Sequence, residues 1–387
     1  QAASIDYFNQ HCNGEIPSGI LRTVTPAAAD GWMTSLKLYG TMTFEQVVTP
    51  AMELAEHGYP LSDYVHDGLQ TTEEDHEGGV AMWPSNREIF MPGGKAPAVG
   101  EALVQSDLAR TFRRLIEAER AGAGGGRKAG IRAARDRFYR GDIAREMARF
   151  SEAQGGLLTL EDLGEFSVKI EAPEVGRFGE YEINTCGPWC QGPVVAQTLQ
   201  MLEDDDLVSL GHNSPDYVHL VSQALNLAFA DRHAYYGDPD FVDVPMSGLL
   251  SRRYTRSRRA EVDMARALAE MPQPGDPWPY QGGTRQKVAV RVESAAPGPK
   301  TQDTSYVCVV DRWGNAFSAT PSDSSLQTPL IPGLGLAPSP RGAQSWTDPA
   351  HPSAIAPGKR PRLTPNPALA IRPGEMVMPF GTPGGDV

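Results

Sequence analysis

The chain has 387 residues, and its 40% apolar and 21% charged residues are ordinary values for a globular protein. Its formal net charge of −13 argues against a surface that binds nucleic acid or anionic membranes, because both require a basic patch. No run approaches the roughly 18 consecutive apolar residues that cross a membrane, and the first residues form no signal sequence, so a periplasmic and a cytoplasmic location both stay open.

The spacing of apolar residues predicts a series of helices. The first contains Pro50 and stops at Gly58, a residue type that commonly ends helices. Another begins with Ser106 as its N-cap and ends in the glycine-rich segment 121–126, which we expect to be a surface loop. The predicted helices cover 44–57, the stretch after Ser106, 142–153, a short segment capped by Thr159, and 214–235 with Ser214 as its cap.

Strand predictions are concentrated after residue 272, where proline and glycine become frequent. Short β-branched runs there alternate with turns, as the strands of a sheet do. Because helices precede strands without a regular alternation, we expect an α/β protein with a mixed sheet covered by helices, rather than a doubly wound nucleotide-binding fold. The predicted strands are 166–170, 178–185, 287–291, 306–310, 316–320, 368–372 and 376–380.

The cysteines and acidic residues form no recognisable metal-binding pattern. Cys186 and Cys190 lie in a turn rich in Gly and Pro, and their spacing fits neither zinc sites nor thioredoxin-like motifs. The acidic run 203–206 has no His or Cys beside it, so we expect a solvated helix end there. Free thiols are expected at Cys12, Cys186, Cys190 and Cys308, with a Cys186–Cys190 disulfide as the alternative.

Thr304 is the first candidate for chemistry. It follows Asp303 and stands at the head of the apolar run 306–310. A threonine hydroxyl is a weak nucleophile until a base removes its proton, and a free α-amine on the same residue can act as that base. Some hydrolases create this amine by cutting their own backbone. The alternative is that Thr304 is a β-branched residue that opens a buried strand.

A glycine pair, Gly384-Gly385, follows the predicted strand 376–380 and is the second candidate. Adjacent glycines let backbone N–H groups converge on an oxyanion, although a tight turn uses the same residues. The sequence lacks the Gly-x-Ser-x-Gly elbow and the His-Glu-x-x-His zinc motif. His219 and His233, near the ends of the long predicted helix, are expected to be structural.

These two motifs, with the segments between them, resemble the γ-glutamyltranspeptidase family of N-terminal-nucleophile hydrolases. The resemblance covers nearly the whole chain, and its motifs are specific when taken together. It implies an α/β (α+β) chain with a four-layer αββα fold. The further landmarks are Tyr39–Phe44, Ala230–Arg232, Tyr236–Phe241 and Gly358–Pro361.

The resemblance implies that the precursor cuts itself between Asp303 and Thr304. The cut separates a large-subunit region, 1–303, from a small-subunit region, 304–387, within one intertwined domain. Family members extend beyond both ends of this sequence, so we also expect a shortened chain. The resemblance leaves a homo-oligomer open.

The resemblance also implies how Thr304 works once it is a free N-terminus. Its hydroxyl attacks the amide carbonyl of a small-molecule donor such as glutathione, and water or an amine then accepts the acyl group. Gly384 and Gly385 match the oxyanion hole, and Ser322 matches a hydroxyl that hydrogen-bonds the nucleophile. This chemistry requires no cofactor and no metal.

The implied substrate pocket departs from the family pattern. Four positions correspond to the polar set that holds the α-amino and α-carboxyl groups of a glutamyl donor: Ser324, Gln344, Leu363 and Thr364. Gln344 stands where the family has an Asp, and a neutral amide cannot pair with an ammonium group as a carboxylate does. Leu363 offers no side-chain hydrogen bond at all. An arginine of the set would lie upstream of Gln1.

Three functions therefore stay open. The first is transfer or hydrolysis of a γ-glutamyl group. The second is an acylase on the same scaffold, similar to a cephalosporin acylase or a small-amide hydrolase, that takes a glutaryl-type or other acyl group. The third is a catalytically inactive relative that serves as a binding protein.

Overall fold

A computed structural model describes residues 2–71, 82–268, 270–281, 304–323 and 327–382. The chain forms two compact units, one of residues 1–169 and 323–343, the other of residues 170–322 and 344–387. Each unit takes residues from both sides of position 304, so the units do not follow the subunit boundary, which stays a prediction. Within the described ranges, no helix combines the length and apolar character that a membrane crossing requires.

The first unit is mainly helical. A short antiparallel ladder pairs β1 with β2, with Tyr59 opposite Leu103. Its helices are α1 (Ile5–Cys12), α2 (Ala28–Tyr39), α3 (Phe44–His57), α4 (Asp63–Thr71), α5 (Pro84–Phe90), α6 (Ser106–Gly122), α7 (Arg127–Tyr139), α8 (Asp142–Ala153) and α9 (Leu160–Glu165), with strands β1 (Tyr59–Pro60) and β2 (Ala102–Leu103).

Local capping sets several of these helix boundaries. Thr43 and Gln46 form a reciprocal capping box at the start of α3, and Thr159 forms one with Asp162 at the start of α9. The helices predicted over 44–57, over 142–153 and after Thr159 are confirmed. The helix predicted to begin at Ser106 does begin there, but its N-cap is Gln105 rather than Ser106, and the Gln105 side chain makes no capping hydrogen bond.

Residues 323–343 complete the core of the first unit. Ile331 and Leu334 are buried in one apolar cluster with residues of α2, α3 and α6 to α9. The Thr111 hydroxyl of α6 donates to the Leu334 carbonyl at 2.8 Å. Gly335 has φ of +63°, and a Cβ there would lie 2.5 Å from the backbone nitrogen of Leu108. Only glycine permits this close approach of the segment to α6.

The prediction of a strand over 166–170 is wrong, because the side chains of a buried ion pair form hydrogen bonds with this backbone. Asp30 and Arg135 form that pair, at 2.5 Å from Nε to Oδ1. The Arg135 guanidinium also donates to the Phe166 carbonyl at 2.6 Å, and the Val168 N–H donates to Asp30 Oδ2 at 2.8 Å. The backbone groups of Phe166 and Val168 thus bond to side chains of α2 and α7 rather than to a neighbouring strand.

The second unit contains an antiparallel sheet with strand order β3-β4-β7-β8 and a separate hairpin, β5-β6. The region predicted as one strand over 178–185 is a hairpin, in which Phe178 faces Tyr181. The strands predicted over 306–310, 316–320, 368–372 and 376–380 are confirmed, whereas 287–291 lies outside the described residues. The strands are β3 (Glu174–Phe178), β4 (Tyr181–Thr185), β5 (Val307–Val310), β6 (Ala316–Ala319), β7 (Ala368–Arg372) and β8 (Met376–Phe380).

Helices of the second unit pack against this sheet. A Cβ added to Gly176 of β3 would lie 2.7 Å from the Ala196 Cβ of α10, so the glycine permits close packing of helix on strand. The helix predicted over 214–235 is confirmed, with the Ser214 hydroxyl accepting from the Tyr217 N–H at 3.1 Å. The helices are α10 (Gly192–Met201), α11 (Leu207–Leu210), α12 (Pro215–Tyr235), α13 (Met246–Leu249), α14 (Arg252–Arg259) and α15 (Trp278–Gln281).

The acidic run 203–206 meets the arginines of α14 instead of a metal. Arg259 pairs with Asp205 at 2.7 Å, and Arg256 pairs with Asp204 at 2.7 Å. Asp206 caps α11 by accepting from the Ser209 N–H at 3.1 Å. The acidic run therefore pairs with α14 and caps α11, whereas the sequence predicted only a solvated helix end.

One buried carboxylate organises the interior of the second unit. Asp231 on α12 is fully buried and accepts hydrogen bonds from Gln197 Nε2, the Tyr254 hydroxyl and the Gly275 N–H, at 2.6, 2.7 and 2.8 Å. Arg258, itself buried, lies 3.3 Å away. Asp231 therefore links α10, α12 and α14 with the segment at residue 275.

Replacing Asp231 with alanine is expected to lower the free energy of unfolding by about 3 kcal/mol or more, because the buried Arg258 and three hydrogen-bond donors lose their partner. Urea denaturation of the purified protein measures this. The matched control is Asp204→Ala, since the Asp204–Arg256 pair is about 60% exposed and contributes about 1 kcal/mol or less. Equal losses in the two variants would contradict the assignment.

Candidate active site

The register of the β5–β6 hairpin determines where Thr304 lies. Val307 pairs with Ala319. Because the strands are antiparallel, each residue before Val307 lies opposite the corresponding residue after Ala319. Continued three residues past the ladder, the same register places Thr304 opposite Ser322. Their side-chain oxygens, Oγ1 and Oγ, are 2.8 Å apart. The sequence-predicted nucleophile and its hydroxyl partner are thus brought together.

The hydrogen bond between these two hydroxyls restricts the orientation of both side chains. Both residues are partly buried, and either oxygen can be the donor of the hydrogen bond between them. A distance of 2.8 Å is typical of O–H···O hydrogen bonds, so Ser322 restricts the rotation of the Thr304 side chain. The pair can therefore present the Thr304 oxygen in one orientation.

Tyr306 connects this pair with the end of β8. Its hydroxyl is 2.9 Å from Ser318 Oγ, and the Ser318 hydroxyl lies 3.3 Å from the Phe380 carbonyl oxygen that accepts from it. Burial raises the pKa of the Tyr306 phenol above its usual value of 10.0, so the phenol stays neutral at neutral pH. The ring lies against Gly381, the residue that follows β8 and precedes the predicted glycine pair.

Sequence reasoning missed the role of Tyr306, Ser318 and Gly381. In the sequence, Tyr306 is indistinguishable from the other residues of a predicted strand, and Gly381 is indistinguishable from a turn residue. A Cβ on Gly381 would lie 2.5 Å from Tyr306 Cε2 and 3.1 Å from the Asn366 carbonyl oxygen, so only glycine fits there. No local pattern reports this contact, because it joins residues that are far apart in the chain.

Two of the predicted pocket residues, Gln344 and Thr364, are also brought together. The Gln344 amide nitrogen donates to Thr364 Oγ1 at 3.5 Å, and the Arg362 N–H donates to the Gln344 carbonyl at 3.3 Å. Within the part of the chain that the structure describes, the Gln344 side-chain oxygen is buried and accepts no hydrogen bond. Gln344 therefore presents a neutral amide at the position where the family pattern has a carboxylate.

Leu363 is held through its backbone from two sides. Its N–H donates to the Trp189 carbonyl at 2.8 Å, and its carbonyl accepts from the Arg232 guanidinium at 3.3 Å. The side chain of the preceding residue, Arg362, is buried and lies over the Trp346 ring, 4.4 Å from its centroid. The turn that contains Trp189 thus helps to place the predicted pocket.

The histidines beside this segment are structural. The His351 ring stacks on Trp346 with centroids 4.0 Å apart and contacts His233 edge-on. Burial, with the nearby charges of Arg362, His233 and Lys359, lowers the pKa of His351 to about 2. Its Nδ1 accepts from the Ser353 N–H at 2.9 Å. His351 is therefore neutral at neutral pH and too weak a base to activate a nucleophile.

The remaining predicted site residues are Asp303, Ser324, Gly384 and Gly385, and all four lie outside the described residues. Their roles in cleavage, binding and oxyanion stabilisation stay predictions.

A model of the family described as gamma-glutamyltranspeptidase matches residues 1–387. The chain belongs to the γ-glutamyltranspeptidase family. The acylase ACY 1 proenzyme of Pseudomonas sp. strain SE83 is 31% identical over 95% of this chain. The glutathione hydrolase proenzyme of Bacillus subtilis strain 168 is 28% identical over 93% of it. The family therefore includes a hydrolase and an acylase, as the resemblance implied.

A solved structure supports the same assignment. The cephalosporin acylase of Bacillus halodurans superposes on 99% of this chain with a TM-score of 0.80 and 25% identity. This similarity confirms the expected α/β fold of the family. The chain spans 59% and 58% of the two curated relatives and 64% of the acylase chain, which is less than two thirds of each.

We expect Gly381→Ala to lower the free energy of unfolding by about 1–3 kcal/mol, because the new methyl group overlaps the Tyr306 ring and the Asn366 carbonyl. Urea denaturation measures the change. Gly164→Ala on α9 is the matched control, since a Cβ there has no described atom within 4 Å. If both variants keep wild-type stability, the Tyr306 ring does not restrain this turn.

Proposed function

We propose that this chain carries the catalytic centre of an autoprocessing amide hydrolase or acyltransferase, with Thr304 as its nucleophile. The observation that carries the proposal is the 2.8 Å contact between Thr304 Oγ1 and Ser322 Oγ. An attacking oxygen must be held in one orientation, and a hydrogen-bonded neighbour does this. Membership of the γ-glutamyltranspeptidase family supports the same assignment.

In the maturation step, Thr304 attacks its own chain. The Thr304 hydroxyl oxygen bonds to the Asp303 carbonyl carbon, the peptide C–N bond breaks, and the nitrogen takes up the hydroxyl proton. Water then hydrolyses the resulting ester, which leaves a carboxyl group on Asp303 and restores the Thr304 hydroxyl. The products are the regions 1–303 and 304–387, and Thr304 gains a free α-amine.

In turnover, that α-amine is the general base. It takes the Thr304 hydroxyl proton while the oxygen attacks the amide carbonyl of the donor, and the resulting oxyanion is stabilised by the N–H groups of Gly384 and Gly385. The C–N bond of the donor breaks, and the amine leaves with the proton. Water or an acceptor amine then releases the acyl group from Thr304.

For the acyl group, one observation favours an acylase over a γ-glutamyl transferase. The Gln344 amide binds Thr364, and the residue before Thr364 is the apolar Leu363. Neither Gln344 nor Leu363 carries a charge that would hold the α-ammonium of a glutamyl donor. We therefore propose a donor whose acyl group lacks that ammonium, such as a glutaryl amide. The similarity to acylases supports this choice.

Intact-mass measurement tests the nucleophile. Wild-type protein is expected to separate under denaturing conditions into two pieces, one of which begins at Thr304. Thr304→Ala should stay a single chain, because no hydroxyl is present to attack Asp303.

Ser322→Ala is the graded control for that experiment. Loss of one hydrogen bond is expected to slow cleavage by about three- to tenfold while leaving the protein folded. A wild-type chain that stays uncut and hydrolyses no amide would instead identify a binding protein on an inactive scaffold.

A matched pair of donors tests the acyl group. Glutaryl p-nitroanilide and γ-glutamyl p-nitroanilide differ only in the α-ammonium group, and we expect the wild type to have the higher kcat/KM with the glutaryl donor. Gln344→Asp should shift this preference toward the γ-glutamyl donor by about tenfold, because a carboxylate can pair with the ammonium. A wild type that prefers the γ-glutamyl donor would overturn the acylase assignment.

A further inference from the structure

Two thiols meet at a turn that the proposed reaction does not use. Cys186 follows β4 directly, and Cys190 precedes α10. The Cys190 N–H donates to the Gly187 carbonyl at 3.1 Å, which folds the chain back on itself. This turn brings the two thiols close enough for each to shift the pKa of the other. Both are free thiols in the structure.

The two thiols differ in access to solvent. Cys186 is partly exposed, whereas Cys190 is fully buried. Two hydrogen bonds fix the Cys190 sulfur, one to the Gly187 carbonyl at 3.3 Å and one from the Gly192 N–H at 3.4 Å. Interaction with the Cys190 side chain lowers the pKa of Cys186, and burial raises the pKa of Cys190. An oxidant therefore reaches the more acidic thiol first.

We propose that Cys186 and Cys190 form a redox-modification site that a hydroperoxide converts into a disulfide. The Cys186 thiolate attacks the outer peroxide oxygen, the O–O bond breaks, and the alkoxide leaves and takes up a proton as an alcohol. Cys186 is now a sulfenic acid. The Cys190 sulfur attacks that sulfur, and the hydroxyl group leaves with the Cys190 proton as water. The two thiols supply the two electrons that reduce the peroxide.

The position of this pair links it to the predicted pocket. Trp189 lies inside the closed loop, and its carbonyl accepts from the Leu363 N–H at 2.8 Å. The Trp189 ring also lies under the Arg360 guanidinium, and its Nε1 donates to Glu171 at 2.8 Å. A disulfide that tightens this turn therefore moves the anchor of Leu363. The effect of the disulfide on the pocket through Leu363 rests on the proposed function, whereas disulfide formation itself does not.

Mass spectrometry of the full chain tests the modification site. The protein is treated with tert-butyl hydroperoxide, alkylated with N-ethylmaleimide under denaturing conditions and digested with trypsin. Both thiols then fall in the peptide 178–232, while Cys12 and Cys308 fall in other peptides. We expect this peptide to carry no label and to lack two hydrogens. Dithiothreitol before alkylation should restore both labels.

Variants assign the two roles. In Cys190→Ser, oxidation should stop at a sulfenic acid on Cys186, which dimedone traps. In Cys186→Ser, the buried Cys190 should keep its label after the same treatment. Cys308→Ser is the matched control, because that thiol is exposed on β5, and it should leave the disulfide unchanged. Two retained labels on wild-type 178–232 while Cys308 is oxidised would overturn the proposal. So would a sulfinic acid on Cys186 beside a labelled Cys190.

Activity measurements separate this inference from the proposed function. Oxidised wild type is expected to show a KM for its amide donor raised by about three- to tenfold, the size of one lost hydrogen bond, and reversed by dithiothreitol. Cys186→Ser should show no such change. A disulfide without a change in KM would overturn the link to Leu363 alone. Protein that forms the disulfide but hydrolyses no amide would overturn the proposed function and leave the modification site intact.

Discussion

The backbone register of the β5–β6 hairpin is the constraint on which the candidate site depends. The ladder pairs four residues of each strand, and its continuation places Thr304 opposite Ser322. A slip of one residue would turn every side chain of the hairpin to the other face and would separate the two hydroxyls. The nucleophile is therefore oriented by strand pairing, and the tight turn at residues 311–315 that sets this register is part of the site.

A second layer of contacts holds the surroundings of that pair. Tyr306 connects the start of β5 with the end of β8, and the Trp189 carbonyl fixes the backbone of Leu363. One contact involves a glycine and the other a backbone carbonyl. Neither group has side-chain freedom, so the positions of the contacting residues are closely fixed. The site thus depends on residues that take no part in the proposed reaction.

Much of the secondary structure was predictable because its causes are local. Caps and helical spacing were sufficient for α3, α8 and α12, and β-branched runs were sufficient for β5 to β8. The strand predicted over 166–170 failed because Asp30 and Arg135 supply hydrogen-bond partners from distant helices. In the site, Thr304 and Ser322 followed from the family resemblance. Gly381 and the Trp189–Leu363 contact could not be predicted, since they join segments that lie far apart in the chain and leave no periodic signal.

The segment 323–343 gives the proposed cleavage a thermodynamic consequence. Ile331 and Leu334 belong to the core of a unit whose other members come from residues 1–169, although the segment follows position 304 in the chain. Once the backbone is cut, the two pieces share both cores and are joined by no covalent bond. Unfolding of the matured protein then releases two chains, and refolding becomes a bimolecular step that depends on protein concentration. After maturation, the lifetime of the folded protein would therefore be set by its rate of unfolding rather than by a reversible folding equilibrium.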